Sequence, residues 1–551
     1  MVRTRLFAFV FFTILCSYSS YAQLKFIIED FEGFCDGSSD LKANGVFTFG
    51  KVKASVNSKI HGEHPVANYR DYAGERAIKI EYYGKFEYGG WGKGLGLNIE
   101  LDQENDNLNF YVNQIEGTPV NLKIEIQEDD NSNNSFQKEN DDVWVCTEII
   151  GAKSGWQIMS LPLKKFQDSN PGGDGVFNTG YKHGKIFSVV FSFAEPTKLV
   201  KKQIFYFDFI SFSKAGLVTG AGMFDAPAAQ VNTFCCLGAW SKEGNTANFS
   251  DIAKSFEENF KPASEKKLGV VHFFHPFAVD GGNTQNHYPS VERINKVISE
   301  GYVPMITLED HFVNTNPNFK QPNLYSIVEG HFDSFFTAWA KEIQQVNGTV
   351  LLRILHEFNG DWYPWCTINN DRNPQLVVNA YRHIRNIFKN NQVDNVKFIW
   401  CPNSMSVPQE SWNYIMDAYP GDEYVDYVGL DIYNGAGKGQ EVWRSFRKEG
   451  MENYFILTEK ILGKPLLVCE VASRERSSGE GDLRQGKAEW IKQMSEALKS
   501  DMSKVKLLAW FNEKETFRVN STSEARNAFL NYIMKDEFFQ AGAKLILLNR
   551  Q

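Results

Sequence analysis

The chain of 551 residues has no excess of positive charge and, beyond its first residues, no long apolar run. Its 58 lysines and arginines are outnumbered by 67 aspartates and glutamates, so the net charge is −9. Because proteins that bind nucleic acid concentrate Lys and Arg on their surfaces, no nucleic-acid partner is expected. A helix that crosses a membrane needs about 20 predominantly apolar residues, so no membrane span is expected either.

Cysteine is scarce, and phosphate-binding glycine motifs are missing. The eight cysteines show no spacing typical of a zinc ligand set, and we predict no catalytic metal. Neither G-x-G-x-x-G nor G-x-x-x-x-G-K-[ST] follows a predicted strand, which disfavours a nucleotide-binding fold. The sequence therefore predicts a protein that requires no cofactor.

The first 22 residues have the pattern of a secretory signal. Arg3 and Arg5 precede an apolar run from Leu6 to Cys16, and Ser20 and Ala22 provide small residues before a cleavage site. We expect residues 1–22 to be removed on export. The periplasm, the cell surface and the extracellular space all remain open as destinations.

Residues 23–215 alternate apolar and polar side chains in short runs that are separated by Gly, Asn and Asp. Examples are Ala77–Tyr82, Leu122–Ile126 and Lys185–Phe191. A period of two with turn residues between the runs predicts an all-β domain, an antiparallel sandwich. The Gly- and Ala-rich residues 216–230 are predicted to form a linker.

Residues 231–545 show a different pattern, in which short apolar runs are followed by longer helical stretches. The runs are Thr233–Leu237, Leu268–Phe274, Tyr302–Thr307, Thr349–Leu355, Val396–Trp400, Tyr427–Leu430, Pro465–Cys469 and Lys506–Trp510. The helical patterns include Ser290–Glu300, Phe332–Gln345, Asn373–Lys389 and Leu483–Ser500. Eight such units predict a (β/α)8 barrel, with a doubly wound open sheet as the alternative.

Two predicted strands of this barrel end in glutamate. Arg353 to Leu355 leads into His356-Glu357, and Lys464 to Cys469 leads into Glu470. Active sites of such barrels lie at the carboxyl ends of the strands, and paired carboxylates at one rim fit glycoside hydrolysis. In that reaction one carboxyl stays protonated and the other stays ionised. The alternative is that these glutamates form structural ion pairs, for example with Arg353 or Arg474.

The second half of the chain resembles glycoside hydrolase family 26, a group of retaining endo-β-glycanases on (β/α)8 barrels. The resemblance is strongest at His356-Glu357-Phe358-Asn359-Gly360 and the tryptophans that follow. Further segments that carry it are Leu237–Trp240, Val303–Thr307, Val428–Tyr433, Lys464–Glu470 and Ala509–Asn512. This chain has Phe358 where the family usually has Met, and it reads Asp361-Trp362-Tyr363-Pro364-Trp365 where mannanases of the family often have Trp-Phe-Trp-Trp.

The resemblance implies a role for each matching residue. Glu357 is expected to be the general acid/base and Glu470 the nucleophile, with part of the raised pKa of Glu357 coming from the charge of Glu470. Tyr433 is expected to bind the nucleophile, and Arg353 to support the site. The other expected substrate contacts are His356, Trp362, Trp510, Trp240 and His275. We also consider His272, Glu309, Asp310 and His311 as polar contacts of the substrate rather than as a metal cluster.

The first half resembles the jelly-roll carbohydrate-binding modules of family 11. The resemblance is carried by Phe26–Glu32, Gly89–Leu97 and Phe205–Phe212. It suggests a structural calcium ion, for which the candidate ligands are Glu29, Asp30 and Asp208. Tyr69, Tyr88 and Trp91 are candidates for a platform on which sugar rings stack, and the alternative is that they belong to the core or to turns.

The sequence therefore predicts a secreted, retaining endo-β-glycanase that acts on a plant polysaccharide. The preferred substrate is β-1,4-mannan, as for a mannan endo-1,4-β-mannosidase. Mixed-linkage β-1,3-1,4-glucan, the substrate of a lichenase, is the first alternative, and β-1,3-xylan is a more distant one. A polysaccharide-binding protein without catalysis is a further alternative, and we assume a monomer.

Overall fold

The structure, a computed structural model, describes residues 23–542 with several gaps. The gaps are residues 32–33, 35–40, 43–44, 58–75, 84–87, 152–154, 171, 181–182, 194–201, 215–233, 243–247, 277–287, 310–322, 436–442, 462, 477–485, 501 and 514. The predicted signal and linker, together with Tyr69, Asp310 and His311, lie outside the described residues. None of the helices described is long and apolar enough to cross a membrane.

The amino-terminal half forms two antiparallel sheets packed face to face. Its strands are β1 (Gln23–Glu29), β2 (Val46–Gly50), β3 (Val52–Asn57), β4 (Ala77–Tyr82), β5 (Gly89–Leu97), β6 (Asp106–Glu116), β7 (Val120–Asp129), β8 (Val143–Ile150), β9 (Trp156–Pro162), β10 (Gln167–Asp168), β11 (Lys185–Phe193) and β12 (Gln203–Lys214). One sheet has the order β3-β4-β12-β6-β9, with β1 also paired to β12, and the other has the order β10-β8-β7-β11-β5-β2. The predicted antiparallel sandwich is confirmed.

Aromatic side chains fill the space between these sheets. The ring of Trp91 stacks on Phe191 with 4.8 Å between centroids, and Phe110 meets Phe191 edge to face at 5.2 Å. Trp91 is 1% exposed. This tryptophan therefore belongs to the core of the sandwich and is not available as a sugar platform, which corrects one of the candidates from the sequence. Tyr88, at 53% exposure, does reach the surface.

The carboxyl-terminal half is a closed barrel of eight parallel strands. They are β13 (Cys235–Ser241), β14 (Val270–Pro276), β15 (Val303–Glu309), β16 (Val350–Arg353), β17 (Val396–Trp400), β18 (Tyr427–Asn434), β19 (Leu466–Ser473) and β20 (Val505–Asn512). The strand β13 pairs with both β14 and β20, which closes the barrel. A short strand, β21 (Phe539–Gln540), pairs with β13 as well. All eight predicted apolar runs overlap these strands, and the open-sheet alternative is excluded.

Helices surround the barrel. Those described are α1 (Ser250–Glu258), α2 (Val291–Ser299), α3 (Leu324–Val328), α4 (Asp333–Ile343), α5 (Pro374–Asn390), α6 (Phe446–Lys460), α7 (Lys487–Lys499) and α8 (Ser523–Phe529). Short 3₁₀ segments occupy Leu163–Lys165, Thr367–Asn369, Ser411–Asn413 and Ile415–Ala418, and Leu530–Met534 is a π-helical turn. Side-chain caps define several helix starts, as where Asn373 accepts from Gln375 N just before Pro374.

Alternation along the barrel strands separates two layers of side chains. The interior layer consists of Cys236, Val270, Met305, Leu351, Ile399, Cys401, Tyr427, Leu467, Cys469, Leu507 and Ala509. The side chains between them on the strands pack outward against the helices, as Leu508 and Trp510 do. Because the interior is filled at this level, a substrate can reach only the residues that follow at the carboxyl ends of the strands.

The sandwich also contacts the barrel, chiefly between β1 and α6. Lys448 Nζ of α6 lies 3.1 Å from Glu29 Oε1, and Ser445 Oγ donates to Asp30 Oδ2 at 2.6 Å. Elsewhere on the interface, Asn98 donates to the carbonyl of Gln409 at 2.9 Å. The two halves thus share buried polar contacts.

Candidate active site

Glu357 comes to the mouth of the barrel because the chain turns sharply after β16. Leu355 and Glu357 have positive φ angles of 49° and 51°, a region that side chains other than Gly rarely occupy. Such strained positions cluster at functional sites, where the surrounding structure holds them in place. The amide of Glu357 donates to the carbonyl of Cys401 at 2.8 Å, which ties the turn to β17.

The carboxyl of Glu357 is bound by neutral donors only among the described residues. Asn403 Nδ2 donates to Oε1 at 2.8 Å and Trp362 Nε1 donates to Oε2 at 2.7 Å. Burial raises the pKa of Glu357, while the hydrogen bond from Asn403, the charge of Arg353 and the hydrogen bond from Trp362 act against that rise. The main cause is burial rather than the charge of Glu470, to which the sequence argument assigned part of the rise. A carboxyl in this environment is suited to carry a proton.

Glu470 faces the same space because of an irregularity in β19. Leu430 pairs with Val468 but Asp431 pairs with Glu470, so one extra residue, Cys469, lies between the two pairs. In a regular strand Cys469 and Glu470 would point to opposite faces. The bulge lets Cys469 fill the barrel interior while Glu470 also points toward the axis, and bulges often redirect a side chain next to an active site.

The carboxylate of Glu470 accepts hydrogen bonds from a cation and from a phenol. Arg353 Nη2 donates to Oε1, and the hydroxyl of Tyr433 donates to Oε2. His272 Nε2 lies 4.0 Å from Oε1. Both donors favour the ionised form of a carboxyl group. The surroundings of Glu470 are therefore opposite in character to those of Glu357.

Arg353 is the charged centre beneath both glutamates. It is fully buried, and its Nη1 atom donates to both oxygens of Asp431 at 2.6 and 2.5 Å. Its Nε atom donates to Thr307 Oγ1 at 2.8 Å. Burial works against the charge of Arg353, but Asp431 more than compensates, so the pKa of Arg353 lies above its usual value. A permanently charged guanidinium is thus held below the carboxyl ends of the strands.

Two buried histidines complete the polar floor of the site. His272 Nε2 is 2.8 Å from Thr307 Oγ1, and His356 Nε2 is 3.0 Å from the hydroxyl of Tyr363. Burial, followed by the charge of Arg353, lowers the pKa of both histidines well below the usual value. Both imidazoles are therefore neutral at pH 7. The Nδ1 atom of His356 is buried without a hydrogen-bond partner in the described part of the chain, which leaves it free for a substrate hydroxyl.

Aromatic rings form one side of the mouth. Trp240 meets Phe274 edge to face at 5.2 Å, Phe274 lies 6.1 Å from Phe511, and Phe511 lies 5.6 Å from Tyr433. These rings make a continuous row of aromatic side chains. The row ends at Tyr433, whose hydroxyl donates to Glu470. Trp362, on the side of Glu357, is 42% exposed and leaves a flat ring open to solvent. Such surfaces suit the apolar faces of sugar rings.

The structure does not bring Trp510 or His275 to the mouth. Trp510 points outward from β20, where its ring lies 6.4 Å from Trp490 of α7 and 5.3 Å from Phe529 of α8. The inward position next to it belongs to Phe511. His275 points outward from β14 and meets Trp339 of α4 edge to face at 5.9 Å. Both predictions were wrong by one position along the strand, because successive side chains of a strand face opposite sides.

Asn403 and Asp431 had no role assigned from the sequence. Asn403 binds Glu357, and Asp431 holds Arg353. Their position at the carboxyl ends of β17 and β18 was the available signal. Glu309 lies at the corresponding end of β15, in register with Pro276 of β14.

One group of possible metal ligands lies below the carboxylates. Single ligand atoms of Cys401, Asp431 and Cys469 lie within 4.8 Å of one another. Arg353 Nη1 already donates to Asp431 and lies 3.6 Å from the sulfur of Cys401. A metal ion in this position would meet a positive charge, so the arrangement does not fit a metal centre.

The candidate calcium ligands at the start of the sandwich are also in contact with cations. Glu29 lies 2.6 Å from Lys93 Nζ and 3.1 Å from Lys448 Nζ. Asp30 accepts from Ser445, and Asp208 Oδ1 accepts from the amide of Phe209 at 2.7 Å. Two ammonium groups on Glu29 take the place that a cation would need. The structure therefore does not support a calcium ion at Glu29, Asp30 and Asp208.

Comparison with known proteins supports the class of the barrel. The model of glycosyl hydrolase family 26 matches residues 295–496. Endoglucanase H of Acetivibrio thermocellus is 31% identical over 327 residues, which are 58% of this chain and 32% of that protein. A mannan endo-1,4-β-mannosidase of Bacillus subtilis is 27% identical over 128 residues, which are 22% of this chain and 34% of that protein. The chain thus spans about a third of the length of these relatives.

Among solved structures, a β-(1,4)-mannanase from Podospora anserina is similar at 12% identity. The similarity covers 90% of this chain and 97% of that one, with a TM-score of 0.41. The matches in sequence support a glycoside hydrolase domain in the barrel. The resemblance to glycosyl hydrolase family 26 that the sequence predicted is confirmed over residues 295–496, which the family model matches.

Proposed function

We propose that this protein is an endo-acting β-glycanase that hydrolyses its substrate with retention of configuration. Glu357 is the general acid/base and Glu470 is the nucleophile. The observation that carries this assignment is the difference between their surroundings. Glu357 is buried against two neutral donors, Asn403 and Trp362, whereas Glu470 is held by Arg353 and Tyr433. Environments that favour opposite charge states separate an acid from a nucleophile.

The reaction has two steps. In the first, Glu470 attacks the anomeric carbon while the bond to the leaving oxygen breaks, and the proton of Glu357 passes to that oxygen. The product is a covalent glycosyl ester on Glu470. In the second, the Glu357 carboxylate removes a proton from water, and the water oxygen attacks the anomeric carbon. The ester bond breaks, and Glu470 is again ionised.

Other residues at the mouth would position the sugar that is cleaved. The free Nδ1 atom of His356 and the buried indole N–H of Trp240 lack a hydrogen-bond partner among the described residues. Buried polar atoms normally have partners, so sugar hydroxyls are suitable ones. The exposed ring of Trp362 would stack on the sugar on the side of the acid.

For the substrate, we propose a β-glucan first and β-1,4-mannan second. Endoglucanase H matches over 327 residues, whereas the mannanases match over 98 to 150. The segment from Asp361 to Trp365 also departs from the Trp-Phe-Trp-Trp sequence that is frequent in mannanases of the family. Together these observations reverse the preference for mannan that was drawn from the sequence, and mixed-linkage glucan becomes the leading candidate.

We further propose that the amino-terminal sandwich holds the enzyme on its polysaccharide and that the protein acts after export. Tyr88 is exposed, and its ring lies 5.3 Å from that of Phe49 at an interplanar angle of 34°, so the two form an aromatic patch. A stacking platform of this kind is what the resemblance to binding modules leads us to expect. An affinity gel that contains the polysaccharide, with Tyr88→Ala as the variant, tests this part.

The first experiment measures reducing-sugar release from barley β-glucan, glucomannan, galactomannan and β-1,3-xylan. Wild type is compared with Glu357→Ala, Glu470→Ala and the control Asp361→Ala, which removes an exposed carboxylate four residues from Glu357. We expect activity on β-glucan, loss of about 10²- to 10⁴-fold or more in the two glutamate variants, and wild-type rates in the control. Glu357→Ala should regain hydrolytic activity on aryl glycosides, because their leaving group needs no proton.

The outcomes separate the alternatives. Activity on galactomannan but not on β-glucan restores mannan as the substrate. Full activity of either glutamate variant overturns the catalytic assignment. Retention on the affinity gel without release of reducing ends from any polymer supports the alternative of a binding protein without catalysis.

A further inference from the structure

Asn403, whose side-chain amide donates to Glu357, has a hydrogen bond on each of its polar atoms. Its backbone N–H donates to Asn359 Oδ1 at 2.8 Å, and its carbonyl accepts from Asn359 Nδ2 at 3.1 Å. Its Oδ1 atom accepts from the amide of Met405 at 3.1 Å, which turns Nδ2 toward Glu357. The direction in which Asn403 donates is therefore set by the residues that hold it.

A second donor reaches the carbonyl of Asn403 from the layer of helices. Asn453 lies in the middle of α6, and its Nδ2 atom donates to this carbonyl at 2.7 Å. A backbone carbonyl has two lone pairs, so it can accept from Asn359 and from Asn453 at once. The backbone of Asn403 is thus held by the turn that follows β16 and, from the other direction, by α6.

Asn453 is an unusual residue for the middle of a helix. Its side chain is 0% exposed, and its Oδ1 atom is buried without a hydrogen-bond partner among the described residues. Asparagine favours helix ends over helix interiors, because its side chain competes with the backbone for hydrogen bonds. A buried polar atom that lacks a partner also lowers stability. An apolar residue at this position would serve the stability of the helix better.

The start of α6 is fixed by the sandwich. Ser445, the residue before the helix, donates to Asp30 Oδ2 at 2.6 Å, and Lys448 Nζ in the first turn lies 3.1 Å from Glu29 Oε1. Asn453 follows about 12 Å further along the helix axis, at 1.5 Å per residue. The contact between Asn453 and Asn403 therefore starts from a helix that is anchored at its amino end.

We propose that Asn453 is a positioning residue of the glycanase reaction, which holds the backbone of Asn403 so that the side chain of Asn403 donates to Glu357. The inference rests on the proposed role of Glu357 as the general acid/base. Asn453 acts through Asn403 and is not itself a catalytic residue. Its gain is the hydrogen bond to Asn403, which accounts for a buried asparagine in a position where helix stability disfavours one.

The consequence is a change in the proton affinity of Glu357 when Asn453 is replaced. The hydrogen bond from Asn403 lowers the pKa of Glu357, so a displaced donor lets that pKa rise. Glu357 must be protonated in the first step, and a higher pKa keeps it protonated to higher pH. The other titratable groups at the mouth keep their identity in the variants of Asn453 and Asn403: Arg353, His272, His356, Cys366, Asp431, Tyr433 and Glu470.

The test compares pH profiles of kcat/KM on the polymer that the wild type hydrolyses. Asn453→Leu removes the donor and keeps the branched shape of the side chain. We expect its alkaline limb to lie about 0.5 to 1 pH unit above that of wild type, as when one hydrogen bond to a carboxylate is weakened. Asn403→Ala should move the limb at least as far. In the Asn403→Ala background, Asn453→Leu should add no further shift, because the amide through which it acts is gone.

Asn395→Leu is the matched control. The Nδ2 atom of Asn395 also donates to backbone carbonyls, those of Ile343 at 2.8 Å and Val346 at 3.0 Å, and its Oδ1 atom likewise lacks a partner within the described ranges. Asn395 precedes β17 at the end of the barrel opposite the mouth. Its replacement should leave the alkaline limb in place. Urea unfolding shows whether each variant is folded, and Asn453→Ala provides the same comparison if Asn453→Leu is not.

An alkaline limb of the Asn453 variant that coincides with that of wild type overturns the proposal. Additive shifts in the double variant overturn it too, because Asn453 then acts by a route other than Asn403. A separate measurement tests the catalytic assignment: Glu357→Ala should show no alkaline limb on aryl glycosides. A limb that persists there shows that another group is the acid, so the proposed function itself fails and the inference fails with it.

Discussion

Arg353 donates to Glu470 from the strand that also delivers Glu357 to the mouth of the barrel. One guanidinium therefore joins the two sides of the candidate site. It pairs with Asp431 through both oxygens of that carboxylate, so two negative groups and one positive group share a buried space. The Arg353 side chain has no solvent exposure, and the charges can be compensated only within this group.

Replacement of Arg353 by Met should be strongly destabilising, because it leaves Asp431 and Glu470 buried without their cation. Removing one partner of a buried pair typically costs about 3–5 kcal/mol. Urea unfolding, followed by circular dichroism, measures this loss. The double variant Arg353→Met, Asp431→Asn should recover part of it.

Arg382→Met serves as the control for that experiment. Arg382 is partly buried and donates to the carbonyl of Pro420, and no carboxylate of the described residues forms an ion pair with it. We expect a loss of about 1 kcal/mol in this variant. Equal losses in both variants would show that Arg353 acts only through packing.

The pH dependence of catalysis should shift when the donors to Glu357 are removed. Hydrogen bonds from Asn403 and Trp362 stabilise the ionised carboxylate and lower its pKa. Without one of them, Glu357 stays protonated to higher pH, so the alkaline limb of the kcat/KM profile moves upward in Asn403→Ala and Trp362→Phe. The acidic limb, which depends on ionisation of the other essential carboxylate, should stay in place.

Trp412→Phe is the matched control for the tryptophan variant. Trp412 is partly exposed and lies near Arg372, with 5.6 Å from the guanidinium carbon to the ring. Its replacement should leave both limbs unchanged. A downward shift of the alkaline limb in Trp362→Phe would contradict the role of its N–H group as a donor to the carboxylate.

The sequence predicted which strand ends matter but not always which face each residue takes. Apolar runs and the helical patterns between them located all eight barrel strands, because buried parallel strands are apolar on both faces. That same property hides the alternation. With Ala509, Trp510 and Phe511 all apolar, nothing in the pattern distinguishes the side facing the axis from the side facing the helices. On β14 the two histidines face opposite sides, His272 toward the axis and His275 toward the helices, and the pattern does not distinguish them.

The contacts between segments that are distant in the chain could likewise not be predicted from the sequence. Asn403 reaches Glu357 from 46 positions away, and Lys448 reaches Glu29 from 419 positions away. The bulge at Cys469 depends on the register of neighbouring strands. Glu357 and Glu470 could be chosen because a charged residue at the end of an apolar strand is unusual in itself.

The inward position of Phe511 and the outward position of Trp510 lead to opposite phenotypes. Trp510→Ala should lower the free energy of unfolding by about 3–5 kcal/mol, because it leaves a cavity among Trp490, Phe529 and Lys487. Phe511 is half-buried, so Phe511→Ala should cost less stability. This substitution should, however, raise KM for the polymer. Steady-state kinetics together with urea unfolding separate the two effects. Trp510→Ala with unchanged stability and a raised KM would restore the original prediction for that residue.

The last prediction concerns acid stability at the contact between the sandwich and the barrel. Glu29 is buried; burial alone would raise its pKa, but Lys448 of the barrel and Lys93 of the sandwich lower it to about 2. Because the pKa in the folded state lies below the unfolded value of about 4.3, the carboxylate contributes stability above that value, and this contribution is lost as the pH falls toward 2. The full contribution is on the order of 3 kcal/mol.

Glu29→Gln should therefore remove part of the acid sensitivity of the protein. Unfolding in urea at a series of pH values between 3 and 7 should show wild type losing stability faster than the variant once the pH drops below about 4.3. A double-mutant cycle of Glu29→Gln with Lys448→Met measures the contact between the two halves, and the same cycle with Lys93→Met measures the pair within the sandwich. Parallel pH profiles for wild type and Glu29→Gln would show that Glu29 is not a source of the acid response, and a coupling energy of zero with Lys448 would show that this ion pair does not help to dock the sandwich on the barrel.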